Sequence, residues 1–569
     1  MRNGGGMMVA DSTGLRSRGD SGAGMNDSQA DVIRLLRLAQ VGQPEQALVR
    51  ADELLRAGPS LGVLYARAVA LRCLGDHEGA VQGAEKMLAI TGARAVTSSA
   101  GPMAAGTSAE AEMAGWHSIA LAFRACQQML ISEISPQLFD LESTLHDLAQ
   151  AEAALTNDVN DGFVLATAHT GLGHGYHDLR LYELALPHYE AALRAALTHS
   201  AEIVAMTAVT SQLNLAELHL NWSVELFRIR ETARARDKSA TAARHAVRAQ
   251  EYASIDETVS YSAIADLLAA CADSSGEAAG EVVVRIRDGL QAVEQHGLRE
   301  SRAFALPFLA WALERAGRLP EALEVAAQAC DALPADATWM LTSAAYHTRA
   351  ALLARAGSES ARAALAYGDQ LAKTMWRQRL RTLHNARSVQ ILQRVTLERD
   401  RVQVLAHTDA LTGVGNRRAF DVRVAELNRS ADTAEVAMIV VDVDRLKAVN
   451  DAGGHEAGDL TLQAVAGALT GQVRAGDLVA RLGGDEFVAV VEGTDQSQAT
   501  ALADRMAQAV SLALGSGVTV SVGVASGPAC EAGAGLLHAA DRAMYAAKRA
   551  SRVRPRAVKA LSTDQSRTG

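Results

Sequence analysis

The chain has few cysteines, few aromatic residues and no long apolar run. The five cysteines are scattered without a CxxC pair, at Cys73, Cys126, Cys271, Cys330 and Cys530. This spacing indicates neither a disulfide framework nor a zinc site, and we expect a reducing, cytoplasmic compartment. Because no run of about 18 apolar residues occurs, we predict no insertion into a membrane. Aromatic residues make up only 4% of the chain, which favours closely packed helices over β-sandwiches and barrels.

The chain also has fewer basic than acidic residues, 55 against 65. The formal net charge is −10, whereas the phosphate backbone of DNA requires a basic surface, so we predict no DNA binding. A single small nucleotide stays compatible with this charge, because local charges and a metal ion decide its binding. The 569 residues exceed what one core supports, so at least two domains are expected.

The region 29–370 is helical by pattern and contains two helix pairs with regularly spaced small residues. Their positions are Gly173, Tyr176, Ala185, Tyr189 and Ala192 in one pair, and Ala310, Leu313, Ala322, Ala326, Ala329 and Pro334 in the other. Small residues let antiparallel helices approach closely. The region resembles tetratricopeptide repeats, and a generic α-solenoid is the alternative. Because a solenoid presents a concave surface, the resemblance implies a protein or peptide ligand.

The pattern changes after residue 406. Residues 435–444 (EVAMIVVDVD) are a short β-branched run, residues 478–491 (LVARLGGDEFVAVV) are two such runs around a Gly-Gly turn, and residues 517–525 form a further strand. Two apolar runs joined by a short glycine turn are typical of a hairpin. With helical patterns between them, the order strand, helix, hairpin, helix, strand predicts an α+β domain of the split βαβ type.

Acidic residues occur at two points of this predicted sheet. Asp442 and Asp444 end a buried strand on one face, a pattern that suits Mg²⁺ but also occurs where acids simply contact water. Gly483 and Gly484 permit positive φ and close approach of a ligand to the backbone. The two acids that follow them, 485 and 486, would repel phosphates unless metal ions lay between. The combination indicates a metal–nucleotide site.

Five segments in order carry a resemblance to a known family. They are DALTGVGNRRAF (409–420), DVDRLKAVNDAGGHEAGD (442–459), RLGGDEF (481–487), SVGVA (521–525) and ADRAMYAAK (540–548). The segment RLGGDEF is the signature of the GGDEF family, the diguanylate cyclases, and the resemblance covers about residues 406–555. It implies a fold like the polymerase palm and the nucleotidyl cyclases.

The resemblance implies a catalytic role for the acidic residues. Asp442 and Asp485 would hold Mg²⁺, for which Mn²⁺ could substitute, with the Val443 carbonyl as a backbone ligand. Glu486 would assist at the metal ions. Asp485 is also the candidate for accepting the proton of the GTP 3′-hydroxyl.

Other residues would bind the nucleotide, again by resemblance. Asn450 and Asp459 would recognise guanine, since a carboxylate accepts hydrogen bonds from N1–H and the 2-amino group, which adenine lacks as a pair. The remaining contacts with GTP would come from Gly483 and Gly484 at the turn, His455 beside guanine, and Lys447, Lys548 and Arg552 at the phosphates. Ser551 stands where the family usually has glycine, which puts Arg552 in doubt.

The implied activity condenses two GTP molecules into cyclic di-GMP and two pyrophosphates. A twofold product requires two sites face to face, hence a homodimer. Arg474 and Asp477 match the RxxD motif at which cyclic di-GMP inhibits members of the family. The alternative is a catalytically silent receptor or scaffold that binds cyclic di-GMP, although the intact signature favours the enzyme.

The segment 371–406 is charged and has neither glycine nor proline. Its apolar residues recur at steps of three, four, seven or eight: Leu380, Leu383, Ile391, Val395, Val402 and Leu405. We favour a parallel coiled coil, because the implied enzyme needs two copies, over a single connecting helix packed on the solenoid.

These patterns together predict a multidomain chain in which an all-α, tetratricopeptide-like solenoid precedes an α+β GGDEF domain. The predicted segments are a disordered tail (1–28), the helical domain (29–370), the connecting helix (371–406), the GGDEF domain (407–555) and a second tail (556–569).

Overall fold

The chain is described from a computed structural model. The described residues are 27–40, 43–98, 108–134, 140–155, 159, 161–198, 201–253, 259–276, 279–295, 300–334, 337–429, 435–474, 476–515, 518–529 and 534–553. The tail predicted at 556–569 lies outside them, as does the tail at 1–28 except for Asp27 and Ser28, which begin the first helix. The chain divides into two compact units, with the boundary after Gly83.

The described part of the chain before the C-terminal sheet is entirely helical. Its elements are α1 (Asp27–Gln40), α2 (Pro44–Ala57), α3 (Leu61–Cys73), α4 (His77–Ser98), α5 (Ser108–Ile134), α6 (Leu141–Ala154), α7 (Gly162–Asp178), α8 (Tyr182–Ala196), α9 (Ala201–Arg228), α10 (Thr232–Ala253), α11 (Val259–Ala272), α12 (Ala279–Gln295), α13 (Glu300–Arg315), α14 (Leu319–Asp331), α15 (Trp339–Arg355), α16 (Glu359–His407) and α17 (Arg417–Arg429). Within the described ranges, no helix is long and apolar enough to cross a membrane. None of the four described cysteines forms a disulfide.

Small residues set the spacing of the helix pairs, as the sequence predicted. Gly173 of α7 lies against the buried ring of Tyr189 on α8, and a Cβ atom at Gly173 would overlap that ring. In the pair α13 and α14, Ala310 and Ala326 are fully buried. These contacts establish close helix packing, while the likeness to tetratricopeptide repeats stays a prediction.

Helix α16 is longer than the predicted connecting segment, since it begins at Glu359, where the Ser358 side chain caps its N-terminus. Its first half packs on the helical domain. Leu383 is buried among residues of that domain, so the expectation that it belongs to an intermolecular seam is wrong. The later apolar positions of the seam are 54–67% exposed: Ile391, Val395, Val402 and Leu405.

The C-terminal sheet has four antiparallel strands in the order β2-β3-β1-β4. The strands and their remaining helices are β1 (Glu435–Val443), α18 (Leu446–Thr470), β2 (Leu478–Gly483), β3 (Glu486–Glu492), α19 (Gln496–Leu514), β4 (Val520–Pro528) and α20 (Ala534–Val553). This confirms the predicted strand, helix, hairpin, helix, strand order.

Strand β1 is buried on both faces because it lies inside the sheet and helices cover both sides. Ile439 and Val441 pack with residues of α18 and α19, whereas Met438 and Val440 pack with residues of α17 and α20. Side chains alternate along a strand. Asp442 therefore continues the face toward α20, at the end of the strand where the core opens.

Candidate functional site

The candidate site lies where β1 ends beside the turn between β2 and β3. Asp442 is paired with Glu486 across the β1–β3 ladder. The backbone N–H of Val443 donates to the Asp485 carbonyl oxygen at 3.0 Å. The sheet register thus brings Asp442 next to two acidic residues that lie more than 40 positions later in the sequence, Asp485 and Glu486.

The β2–β3 turn is held by its glycines and by an arginine. Gly483 and Gly484 have φ angles of 150° and 54°, conformations that residues with a Cβ atom rarely adopt. Arg481 Nε and Nη2 donate to the Gly484 carbonyl oxygen at 3.0 and 2.7 Å. Arg481 Nη1 also contacts Asp409 Oδ1 at 3.2 Å. The turn is therefore fixed before any ligand binds.

Asp409 and Arg481 were missed as positioning residues by the sequence analysis, although both lie in the quoted motifs. Asp409 Oδ1 also accepts hydrogen bonds from the Thr412 N–H and hydroxyl, at 3.0 and 2.6 Å. Burial acts to raise the pKa of Asp409, but the bonds from Thr412 and Arg481 hold it below its usual value. The carboxylate stays ionised and anchors the arginine that supports the turn.

The acidic residues of the site are crowded. Asp442 is 5% exposed, and burial raises its pKa, with the neighbouring Asp485 and Asp444 acting in the same direction. Burial likewise raises the pKa of Glu486, and the charges of Asp442 and Asp541 add to it. One cation opposes this, since Lys548 Nζ on α20 lies 2.5 Å from Asp442 Oδ1. Concentrated negative charge of this kind is relieved by binding a cation.

Asp444 has a different environment from Asp442. Its two carboxylate oxygens accept hydrogen bonds from the Thr519 and Ser521 hydroxyls, each at 2.8 Å. Its backbone N–H donates to the Thr519 carbonyl oxygen, also at 2.8 Å. Asp444 therefore ties the end of β1 to β4, a role that the strand pattern alone did not reveal.

The segment assigned to guanine folds back on itself. Helix α18 is kinked at Gly454, whose φ is 79°, and the side-chain amide of Asn450 lies against Gly458, where a Cβ atom would overlap it. Asn450 therefore lies close to Asp459, which follows Gly458 in the sequence and is exposed. Lys447 and His455 are exposed on the same segment.

The proposed product motif forms the turn into β2. Asp477 Oδ2 accepts from the Arg474 N–H at 3.0 Å, and Asp477 Oδ1 accepts from the Glu492 N–H at 3.4 Å. The Arg474 side chain is exposed. Arg552 belongs to α20, but its side chain lies outside the described part of the chain.

Oxygen donors suited to a hard cation are available at the end of β1. They are the carboxylates of Asp442, Asp485 and Glu486 and the carbonyl of Val443. In the portion of the chain that the structure describes, no group of three His, Cys, Asp or Glu side chains is already arranged to hold a metal ion. The carboxylate that would be the central ligand is instead paired with Lys548.

Comparison with known proteins shows that the C-terminal domain is similar to a known family. The family model described as diguanylate cyclase, GGDEF domain, matches residues 406–554. Diguanylate cyclase TpbB of Pseudomonas aeruginosa is 40% identical over 157 residues, covering 26% of this chain and 36% of the relative. Cyclic di-GMP phosphodiesterase PdeR of Escherichia coli is 35% identical over 161 residues, covering 27% and 24%. This chain thus spans about a third or less of these relatives.

A solved structure matches over the same region. A sensory box/GGDEF family protein from Caulobacter crescentus is 36% identical, with a TM-score of 0.23, and the match covers 25% of this chain and 99% of that one. The match to the family model thus identifies a GGDEF domain at residues 406–554.

Proposed function

We propose that this chain is a diguanylate cyclase that condenses two GTP molecules into cyclic di-GMP and two pyrophosphates. The observation that carries the proposal is the convergence of Asp442, Asp485 and Glu486 beside the positive-φ turn Gly483–Gly484. In a GGDEF domain with an intact signature, this arrangement favours nucleotide chemistry. The similarity to diguanylate cyclase TpbB supports the same activity.

The donor set at the end of β1 fits Mg²⁺ or Mn²⁺. Carboxylate and carbonyl oxygens are the ligands these cations prefer, and the raised pKa of Asp442 and Glu486 marks a place where added positive charge is favourable. Asp442, Asp485 and the Val443 carbonyl would hold the ion, with Glu486 assisting. When bound, the cation supplies positive charge at the triphosphate. Nucleotide oxygens would complete its coordination.

Residues around the turn would bind and orient GTP. The glycine turn lets phosphate oxygens approach the backbone, and Lys447, Lys548 and Arg552 would neutralise their charge. Lys548 now pairs with Asp442, so we expect its ammonium to move toward the phosphates when nucleotide and cation bind. Guanine would be selected by Asn450 and Asp459, with His455 alongside.

The reaction forms one phosphodiester bond at each of two sites. The 3′-oxygen of one GTP attacks the α-phosphorus of the other, and the bond to the departing pyrophosphate breaks. Asp485 would accept the 3′-hydroxyl proton. Catalysis then comes from holding the two nucleotides in line and from electrostatic stabilisation by fixed charges.

Such a reaction needs two copies of the GGDEF domain. Four apolar residues near the end of α16 are exposed, at 391, 395, 402 and 405, and they follow one another at steps of four, seven and three residues. This is the spacing of a heptad seam. We propose that it pairs two chains, with the first half of α16 fixed to a tetratricopeptide-like domain that binds a protein or peptide.

The test of the activity is product formation. We expect purified chain incubated with GTP and Mg²⁺ to yield cyclic di-GMP and pyrophosphate by mass spectrometry, and ATP to yield no cyclic dinucleotide. Removal of Mg²⁺ with EDTA should stop the reaction. Absence of cyclic di-GMP over a wide range of protein concentrations would reject the cyclase in favour of the silent receptor.

That receptor is the second candidate, and one comparison favours it. PdeR, which is 35% identical to this chain over 161 residues, is named a cyclic di-GMP phosphodiesterase, so similarity to this chain is not limited to proteins named cyclases. A receptor would bind cyclic di-GMP without turnover of GTP. The product assay separates the two functions.

Product inhibition gives a separate prediction. Arg474 is exposed beside the Asp477 turn, and a guanidinium can bind both phosphate and a guanine face. Arg474→Ala should weaken inhibition by added cyclic di-GMP about tenfold or more, the size of one lost charge-assisted contact. Arg505→Ala, a change at an exposed arginine of α19, is the matched control. If cyclic di-GMP inhibits Arg474→Ala as strongly as the wild type, Arg474 does not contribute to a product-inhibition site.

A further inference from the structure

A cavity in the helical domain lies where α9, α13 and α15 meet the beginning of α16. Its volume is about 370 Å³, within the usual range for small-molecule sites. Four arginines and one aspartate line it: Arg228, Arg230, Arg355, Arg362 and Asp369. This positive lining is unexpected in a chain whose formal net charge is −10.

The acidic residues near the cavity do not balance the arginines. Asp369 Oδ2 accepts from Arg230 Nη2 at 3.2 Å, and Arg355 is paired with Glu314. Arg362 has only a 4.0 Å contact with Glu359, one turn earlier in its own helix. Two paired and two weakly compensated guanidiniums leave an excess of about two positive charges, which a dianion would neutralise.

Arg228 is the most deeply buried of the four arginines. It is 9% exposed, its Nη1 donates to the Ser343 hydroxyl, and its Nε has no hydrogen-bond partner. In the described ranges it makes no ion pair, and its guanidinium lies 5.3 Å from the centre of the Trp339 ring. Burial lowers the pKa of Arg228, an effect that the more distant charges of Glu225 and Asp369 oppose and that of Arg180 reinforces. A buried guanidinium without a carboxylate is costly unless a negative group reaches it.

The cavity also offers an aromatic surface. The Trp311 indole lines it, and the Arg355 guanidinium lies 5.2 Å from the centre of that ring. Trp311 Nε1 donates to the Thr348 hydroxyl at 3.1 Å, so the ring is held in place. A ligand with a flat or apolar body can pack on the indole while its charged end faces the arginines.

We propose that this cavity binds a small organic dianion, a phosphate ester or dicarboxylate with a ring or apolar body. Arg228 and Arg362 contact the charged end, and Trp311 contacts the body. The occupant would touch α16, through Arg362 and Asp369, and this helix continues to the GGDEF domain. The site is therefore placed to link a metabolite to that domain, but its binding does not depend on the proposed cyclase activity.

Calorimetric titration of the full chain with phenyl phosphate at low ionic strength tests the proposal. We expect one molecule bound per chain, and affinity reduced about tenfold or more in Arg362→Gln, whose side chain is exposed and tolerant of change. Arg377→Gln, at an exposed arginine of the same helix outside the cavity, should bind as the wild type does. Benzyl alcohol, which lacks the charge, should not bind.

Two further arms complete the design. Phthalate replaces phenyl phosphate in a second titration, which compares a dicarboxylate with a phosphate ester. The anion that binds more tightly shows which of the two ligand classes the cavity prefers. Arg228→Gln should abolish binding, and if that variant does not fold, Arg355→Gln takes its place. Failure of both anions to bind, or equal affinity in the wild type and Arg362→Gln, would overturn the proposal.

Discussion

Asp442→Asn is expected to reduce the rate of cyclic di-GMP formation by about 10³-fold or more, a loss of about 4 kcal/mol of transition-state stabilisation. The substitution keeps the size of the side chain but removes the buried charge beside Asp485 and Glu486. It also removes the ion pair with Lys548. The rate is measured as product per unit time at saturating GTP and Mg²⁺.

The loss of activity can be assigned to the missing carboxylate only if the Asp442→Asn variant is folded. Because the pKa of Asp442 is raised by burial and by neighbouring carboxylates, neutralising it should not destabilise the domain, and thermal unfolding without Mg²⁺ should be unchanged or slightly higher. Asp504→Asn, at an exposed aspartate of α19, controls for loss of one negative charge. Activity of Asp442→Asn within about tenfold of the wild type would show that this carboxylate holds no essential cation.

Gly523→Ala is expected to disrupt the C-terminal domain. A Cβ atom at Gly523 in β4 would overlap the Ala540 carbonyl oxygen and the Met544 backbone nitrogen of α20. Backbone cannot move aside as a flexible side chain can, so we expect a cost of about 3 kcal/mol or more. Because α20 carries Lys548, loss of its packing on the sheet would also separate that lysine from Asp442.

The measurement is hydrogen exchange of the β1 amides, which reports on this domain alone in a chain with several domains. Gly535→Ala is the matched control, since a Cβ atom there meets nothing within 4 Å and alanine is the better helix former. Equal protection of β1 in Gly523→Ala and the wild type would contradict the packing described for α20.

The succession of strands and helices along the C-terminal domain was predictable because its signals are local. Alternating β-branched residues and the Gly-Gly turn identify strands and a hairpin without knowledge of distant contacts. The close helix packing around Gly173 was predictable for the same reason, since small residues at helical spacing lie within one helix pair.

Three other contacts between distant residues were not predictable. The pairing of Asp442 with Lys548 joins residues 106 positions apart, and the bonds of Asp444 to Thr519 and Ser521 span 75 and 77 positions. The same applies to Leu383, whose apolar spacing suits a coiled coil but which packs in the chain's own core. Periodicity shows that a face is apolar, not which surface covers it.

We propose that two copies of this chain act together to make cyclic di-GMP. Measuring the product rate of wild-type chain mixed with increasing amounts of Asp485→Ala, at constant total protein, tests this directly. In a symmetric dimer, a pair with one inactive site can form only one of the two phosphodiester bonds. An equal mixture should therefore give about a quarter of the wild-type rate if dimers form at random. A rate that falls only in proportion to the wild-type fraction, or no cyclic product from the unmixed wild type, would contradict the account.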